Sequence, residues 1–355
     1  MEKIYLINYN FKENGYGIDT FSYRLYNELR KRNLDIEKIE INNFYKRTLK
    51  YVKPIFINRS IRRKLIYTLN RNVIKNKNIH VLDISALPIK YLLLQKRKIV
   101  TVYDFYIFNE KQMQDRIKKF KGLLHWLAYR SIILNERKAY THLKHYDFVF
   151  AVSQEVLQRL VSDFGVDREK VEVSNGIIPD KFKPLNVEKD KNKVVIGFIN
   201  NFTENKTEKL RLFIETFKKI NDKNLEFHIY GKGFPFIDLI KDDNRIKYLG
   251  FLPEDKIVET YNSFDAYLST STVEGFGLPI MQAKACKIPV LCYDGDMPDL
   301  VKRNTLVWDD ENLEEIIKNR SWEKIDVEKA YLDAEECRAN KVIPKIIEVY
   351  EKTFN

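Results

Sequence analysis

The sequence predicts an α/β protein made of two successive parallel-sheet domains, and three observations lead there. Short apolar runs alternate with amphipathic runs, the alternation restarts after a polar interval near mid-chain, and 355 residues with 44% hydrophobic content, 12 Gly and 10 Pro suffice for two ordinary cores. In the first half the strand-like runs are "KIYLINY", "HVLDIS", "KIVTVYDF", "DFVFAVS" and "VEVSNG", with "TFSYRLYNELRKRN" as the first helix-like run. Lys181 to Lys193, "KFKPLNVEKDKNK", reads as a linker, which places the first domain at 1–185 and the second from 193. The second half then offers "VVIGFIN", "LEFHIYGKG", "IKYLGF", "DAYLSTS" and "PVLCYD".

The opening "MEKIYLINYN" reads as a buried strand and not as a leader, and no apolar run approaches 18 residues, so a cytoplasmic setting is expected. Cys286, Cys292 and Cys337 lack metal-ligand spacing and read as reduced thiols without chemistry. His80, His125, His142, His145 and His228 are scattered, so structural or surface roles are favoured over metal ligation. Net charge is +12, and between Ile41 and Leu82 eleven Lys or Arg occur without one Asp or Glu.

Open parallel sheets bind ligands beyond the carboxyl ends of their strands, so the loops after the strand-like runs are the ones to inspect. "GYGIDT", Gly15 to Thr20, partly imitates a dinucleotide fingerprint but lacks its third glycine, and a structural turn is favoured there. "EGFGLPIMQA", Glu274 to Ala283, is more informative. Gly275 and Gly277 let backbone approach a ligand, Pro279 suits a first helical turn, and the helix terminus carries roughly half a positive charge suited to phosphate. A carboxylate just outside an anion site, Glu274, is well used only on something uncharged such as sugar hydroxyls. Gln282 falls one turn inside. Taken alone, the segment is equally compatible with a glycine-rich turn and an exposed glutamate.

"EGFGLPIMQA" resembles the Glu-x7-Glu segment of the retaining GT-B glycosyltransferases of the group 1 family. "YDFVFAVSQEVLQRLVSDFGVDREKVEVSNGIIPDKFKP" is similar to that family's end of the first domain, with Ser153 and Asn175-Gly176 in place, and "FHIYGKG", "IKYLGFLPEDKIVETYNSFDAYLSTS" and "KIPVLCYDGDMPDLV" are similar to its second domain in order and spacing. "SWEK" and "IIEVYEKTF" resemble the closing helices. The resemblance covers most of the chain and is weakest at about 40–80. It implies a GT-B fold: two Rossmann-like domains facing across a cleft, an acceptor-side domain at 1–185, a nucleotide-sugar domain at 193–334, and a helix at 335–355 returning to the first domain.

The resemblance also implies a function: transfer of a hexose from a nucleoside-diphosphate sugar to a lipid-linked or glycan acceptor, with retention and without a metal or other cofactor. It assigns Glu274, Asp104 and Lys206 to catalysis, and Gly15, Gly17, Asn201, Lys206, Gly231, Phe276, Gly277, Leu278 and Gln282 to donor binding. Three positions depart from the pattern. Gln282 stands where the ribose-binding second Glu belongs, and an amide still accepts from a hydroxyl. In "INNFTENK", Asn201 replaces the Arg that with Lys206 would clamp the diphosphate, which removes one cation of two. Tyr103 stands before Asp104 where many relatives have His. These departures also fit a nucleotide-sugar-binding protein that has lost turnover.

The basic block adds a candidate surface. From Arg59 to Asn78, Ile61, Leu65, Ile66, Leu69, Val73 and Ile74 form a helical stripe among cations, and "IKKFKGLLHWLAYRSIILNERK" places Trp126, Leu123, Leu124 and Leu127 beside more lysines. Both are compatible with core-facing helices bearing solvated basic faces. The alternative is that Arg59, Arg62, Arg63 and Lys64 rest on an anionic membrane at the cytosolic face, each cation contributing about 1 kcal/mol. Nucleic acid or protein as the acceptor is a less favoured explanation of the charge.

Overall fold

The computed structural model describes residues 2–13, 17–43, 75–87, 89–105, 108, 130, 133–134, 137–200, 202 and 204–355. In them the apolar runs become short strands buried on both faces: Ile4, Leu6 and Ile7 of the first are all buried, without the alternation of a half-exposed strand. The chain separates into two compact units, Met1–Ile177 with Val342–Asn355, and Ile178–Lys341.

The principal elements of the first unit are β1 (Ile4–Asn8), α1 (Gly17–Lys31), β2 (Ile36–Glu40), β3 (Asn78–Val81), β4 (Arg97–Val102), β5 (Phe148–Ala151), α2 (Gln154–Ser162) and β6 (Val171–Val173). The second contains β7 (Val194–Ile199), α3 (Glu204–Lys219), β8 (Leu225–Tyr230), β9 (Ile246–Gly250), β10 (Ala266–Ser269), α4 (Leu278–Ala285), β11 (Val290–Tyr293), α5 (Asp299–Lys302), β12 (Leu306–Trp308) and α6 (Val327–Glu335). The last helix, α7 (Ala339–Phe354), belongs to the first unit from Val342 onward.

The first sheet runs β2-β1-β3-β4-β5-β6 and the second β12-β11-β10-β7-β8-β9, and every pairing in both is parallel. Strand order therefore reverses between β1 and β3 in one sheet and between β7 and β10 in the other. α3 shows why the second unit holds together: Leu210, Phe213, Ile214 and Phe217, spaced for one helical face, are all fully buried. The ring of Phe213 lies 4.8 Å from that of Phe227 on β8. In the first unit Ile346, Val349 and Tyr350 of α7 are buried, and the Tyr350 hydroxyl lies 2.6 Å from His80 Nδ1 on β3. His80 Nε2 is 2.8 Å from Thr101 Oγ1 on β4, and complete burial brings the imidazole pKa down to about 3, so it is neutral.

One expectation changes. Lys181–Lys193 is not a free linker but is fastened to the second unit, whose boundary falls at Ile178. Lys181 Nζ pairs with Glu254 Oε1 at 2.5 Å, the Leu185 N–H donates to Asn262 Oδ1 at 2.8 Å, and Lys189 Nζ donates to the Phe264 carbonyl at 2.6 Å. Ser153 is a helix cap: its hydroxyl accepts from the Val156 N–H at 3.2 Å, satisfying a first-turn donor of α2. The membrane candidates Arg59, Arg62, Arg63 and Lys64, and the donor candidates Gly15 and Asn201, lie outside the described residues. No helix among the described residues is long and apolar enough to cross a membrane.

Candidate active site

The reversal point of the second sheet lies between β7 and β10, which pair at Ala266↔Ile196 and Tyr267↔Gly197. The segment leaving β7 leads through Asn200 into the first turn of α3, where Lys206 sits; the segment leaving β10 runs from Thr270 to Gly277. The Thr270 hydroxyl ties them by donating to the Lys206 carbonyl at 2.9 Å. Lys206 Nζ lies 2.9 Å from Glu274 Oε1 and donates to Asn200 Oδ1 at 2.9 Å. The Ser271 hydroxyl donates to the same Glu274 oxygen at 2.7 Å, and the Glu274 N–H donates to the Asp296 carbonyl at 3.0 Å.

The Lys206 and Glu274 side chains are only 14% and 19% exposed. A pair so desolvated is sensitive to loss of one member, because the other charge is then stranded; in full burial that penalty is about 3–5 kcal/mol. The resemblance assigns Lys206 and Glu274 to one site, and the fold sets them in direct contact. Sequence reading had missed Ser271, although its spacing three residues before Glu274 was visible, and it had given Asn200 no role.

The loop beyond Glu274 is shaped by sterics. Gly277 caps α4 in a left-handed conformation, φ 77° and ψ 46°, and a Cβ there would stand 2.8 Å from Val301 Cγ1. Its carbonyl accepts from the N–H groups of Ile280 at 3.0 Å and Met281 at 3.2 Å. Phe276 is buried and Leu278 half-buried. Gly231, after β8, is equally constrained, since a Cβ would fall 2.2 Å from the Asn200 carbonyl oxygen. Gln282 is 8% exposed, and its Oε1 accepts from the buried Tyr261 hydroxyl at 3.3 Å, so its oxygen is engaged within its own unit.

The first unit holds the remaining candidates. Gly17 opens α1, and a Cβ there would meet nothing within 4 Å, so neither sterics nor backbone conformation requires glycine at this position. The Asp104 carbonyl accepts from the Tyr140 hydroxyl at 2.8 Å. The Tyr103 ring stands edge-on to Phe21, with centroids 5.7 Å apart, and burial drives its pKa well up, so it is a neutral phenol. Burial likewise pushes the thiols of Cys286, Cys292 and Cys337 up to about 12. Among the described residues no three His, Cys, Asp or Glu side chains gather as a metal site would need.

Two parallel six-stranded sheets of this order define the GT-B fold of the α/β class, as the sequence predicts. Residues 193–320, within the second unit, match the family model described as Glycosyl transferases group 1. The chain is similar to the O-antigen chain mannosyltransferase B of Escherichia coli, 27% identical over 114 residues, 30% of each chain. It is 24% identical over 192 residues to the phosphatidylinositol N-acetylglucosaminyltransferase GPI3 subunit of Saccharomyces cerevisiae, 50% of this chain and 42% of that one. The matches thus span less than half the length of these curated relatives. Among solved structures, Alr3699/HepE of Anabaena in complex with UDP-glucose shares the fold at a TM-score of 0.63 and 15% identity, over 99% of both chains.

Proposed function

We propose that this protein is a retaining, metal-independent glycosyltransferase that moves a hexose from a nucleoside-diphosphate sugar to a lipid-linked or glycan acceptor. One observation carries the proposal: the Lys206–Glu274 pair lies at the strand-order reversal of the second sheet, and Glu274 stands in the loop that leads directly to the Gly277 cap of α4, a helix N-terminus suited to anions. The transferase names of the relatives and the UDP-glucose bound to HepE support the same direction.

In this mechanism the C1–O bond to the leaving diphosphate breaks, its electron pair stays with the phosphate oxygen, and the acceptor oxygen bonds to C1 on the same face while its proton passes to that oxygen. Lys206 and the positive N-terminal end of the α4 dipole offset the charge that develops there. Lys206 forms an ion pair with Glu274. An arriving diphosphate competes for the ammonium, and Glu274, still held by Ser271, becomes able to accept from sugar hydroxyls. Donor binding and Glu274 activation are in this way one event. A panel of nucleoside-diphosphate hexoses should contain one that raises the melting temperature and is slowly hydrolysed or transferred. A panel that shifts nothing and releases no diphosphate contradicts the proposal.

The cytosolic membrane face is proposed as the workplace because of the basic block at 41–82. Replacing Arg62, Arg63 and Lys64 by Gln should release the protein from anionic vesicles at low salt. Wild-type protein that ignores such vesicles but binds nucleic acid would transfer the block to a polyanion acceptor.

A further inference from the structure

Helix α4 carries a lysine at an inward position. Lys284 is 0% exposed, between Ala283 and Ala285, which are also fully buried. Its three ammonium donors all find acceptors: the Leu300 carbonyl at 3.1 Å, the Arg303 carbonyl at 2.6 Å and Asp333 Oδ2 at 3.0 Å. Asp333, on α6 and 4% exposed, is completed by Arg303 Nε on Oδ1 at 2.7 Å and by Asn304 Nδ2 on Oδ2 at 3.0 Å. An apolar side chain of similar length would fill this space without the desolvation of two charges, so stability alone does not explain the pair.

What the lysine holds supplies the explanation. The Leu300 and Arg303 carbonyls flank Val301, which is fully buried, and Val301 Cγ1 is the atom that a Cβ at Gly277 would meet at 2.8 Å. A chain of contacts therefore runs from Asp333 through Lys284 to the 300–303 segment, on to Val301, and so to the left-handed cap of α4. We propose that Lys284, held by Asp333, is a positioning residue that fixes Val301 under Gly277 and thereby aims the N-terminal end of α4 at the donor diphosphate. The structural half of this proposal stands on these contacts; only its consequence for ligand binding rests on the function proposed above.

Two variants of the full chain test it: Lys284→Met, which removes the anchor, and Val301→Ala, which leaves the ion pair intact and removes the contact with Gly277. Hydrogen exchange needs no ligand. The Ile280 and Met281 amides, both bonded to the Gly277 carbonyl, should exchange about tenfold faster in each variant while β10 keeps its protection, a change equivalent to about one hydrogen bond. Of UDP, GDP and ADP, the one that wild type binds should bind about tenfold more weakly to Lys284→Met and about threefold more weakly to Val301→Ala, with the matching nucleoside unaffected. Unchanged exchange at Ile280 and Met281, or equal losses for nucleotide and nucleoside, would overturn the proposal. Should Lys284→Met not fold, Val301→Ala decides alone. Should wild type bind none of the three nucleotides, the donor reading fails while the exchange result still decides the positioning role.

Discussion

Both sheets are six-stranded, parallel and contain a point where strand order reverses, and they differ in the polar groups they place there. Between β7 and β10 the second unit sets a cation against a carboxylate, Lys206 and Glu274, 2.9 Å apart. Between β1 and β3 the first unit gathers amides and hydroxyls around one carboxylate. Asn8 Nδ2 donates to the Asn10 carbonyl at 2.7 Å, to Ser22 Oγ at 2.9 Å and to Asp19 Oδ1 at 3.2 Å, and burial pushes the Asp19 pKa up. The Tyr9 hydroxyl donates to the Ser85 carbonyl at 2.9 Å. One kind of sheet thus supports a cation–carboxylate pair at one reversal point and amides and hydroxyls around the Asp19 carboxylate at the other, so the chemistry resides in the loops and not in the sheet.

The largest test of this contrast is Glu274→Ala. It should lower transfer by about a hundredfold or more, the scale of a lost preorganised contact to the reacting group, while the first unit keeps its stability. Initial rates with the nucleotide sugar that the panel selects, together with urea melts, check both halves. Unchanged transfer would place the chemistry away from the charged reversal point.

Acid should separate the units next. The folded pKa of His80 is about 3, below the 6.5 of the unfolded chain, so the unfolded state binds more protons between these values and the first unit loses stability as pH falls from 6.5 toward 3. In the second unit, burial acts upward on Glu226 but is outweighed by hydrogen bonds from Lys247 and His228, which bring it to about 2, below its ordinary 4.5. Its contribution is present above 4.5 and is lost as pH falls through 2. By pH 4 the first unit should have lost about 3 kcal/mol through His80, and hydrogen exchange resolved by unit reads this directly. A first unit whose stability is flat between pH 7 and pH 4 contradicts it.

The smallest expected effect belongs to Gln282→Glu. The Tyr261 hydroxyl can donate to a carboxylate as it does to the amide oxygen, so activity should stay within about tenfold, or about 1.4 kcal/mol. Complete loss, measured at saturating and at low donor, would show that the amide N–H groups of Gln282 are needed.

Much of the fold was legible because it is written in local pattern. "KIYLINY" contains β1 and "VVIGFIN" contains β7, since a doubly buried parallel strand is a short apolar run. The loop that carries Glu274 and Gly277 was legible as a candidate because its glycines and Pro279 stand together in the sequence. What was hidden depends on partners far along the chain. Lys181–Lys193 looks like a linker until Glu254, Asn262 and Phe264 are folded against it. Nothing in "MQAKACK" announces a buried lysine, because the carboxylate that makes Lys284 tolerable is Asp333, 49 residues away.

The central claim is that Lys206 serves the donor diphosphate from its place beside Glu274. Calorimetric titration of wild type and Lys206→Ala, with the nucleoside diphosphate that wild type binds and with its parent nucleoside, tests it most directly. The account predicts about tenfold to hundredfold weaker diphosphate binding in the variant, the scale of a charge-assisted hydrogen bond, with nucleoside affinity unchanged. Equal diphosphate affinity in the two proteins would contradict it.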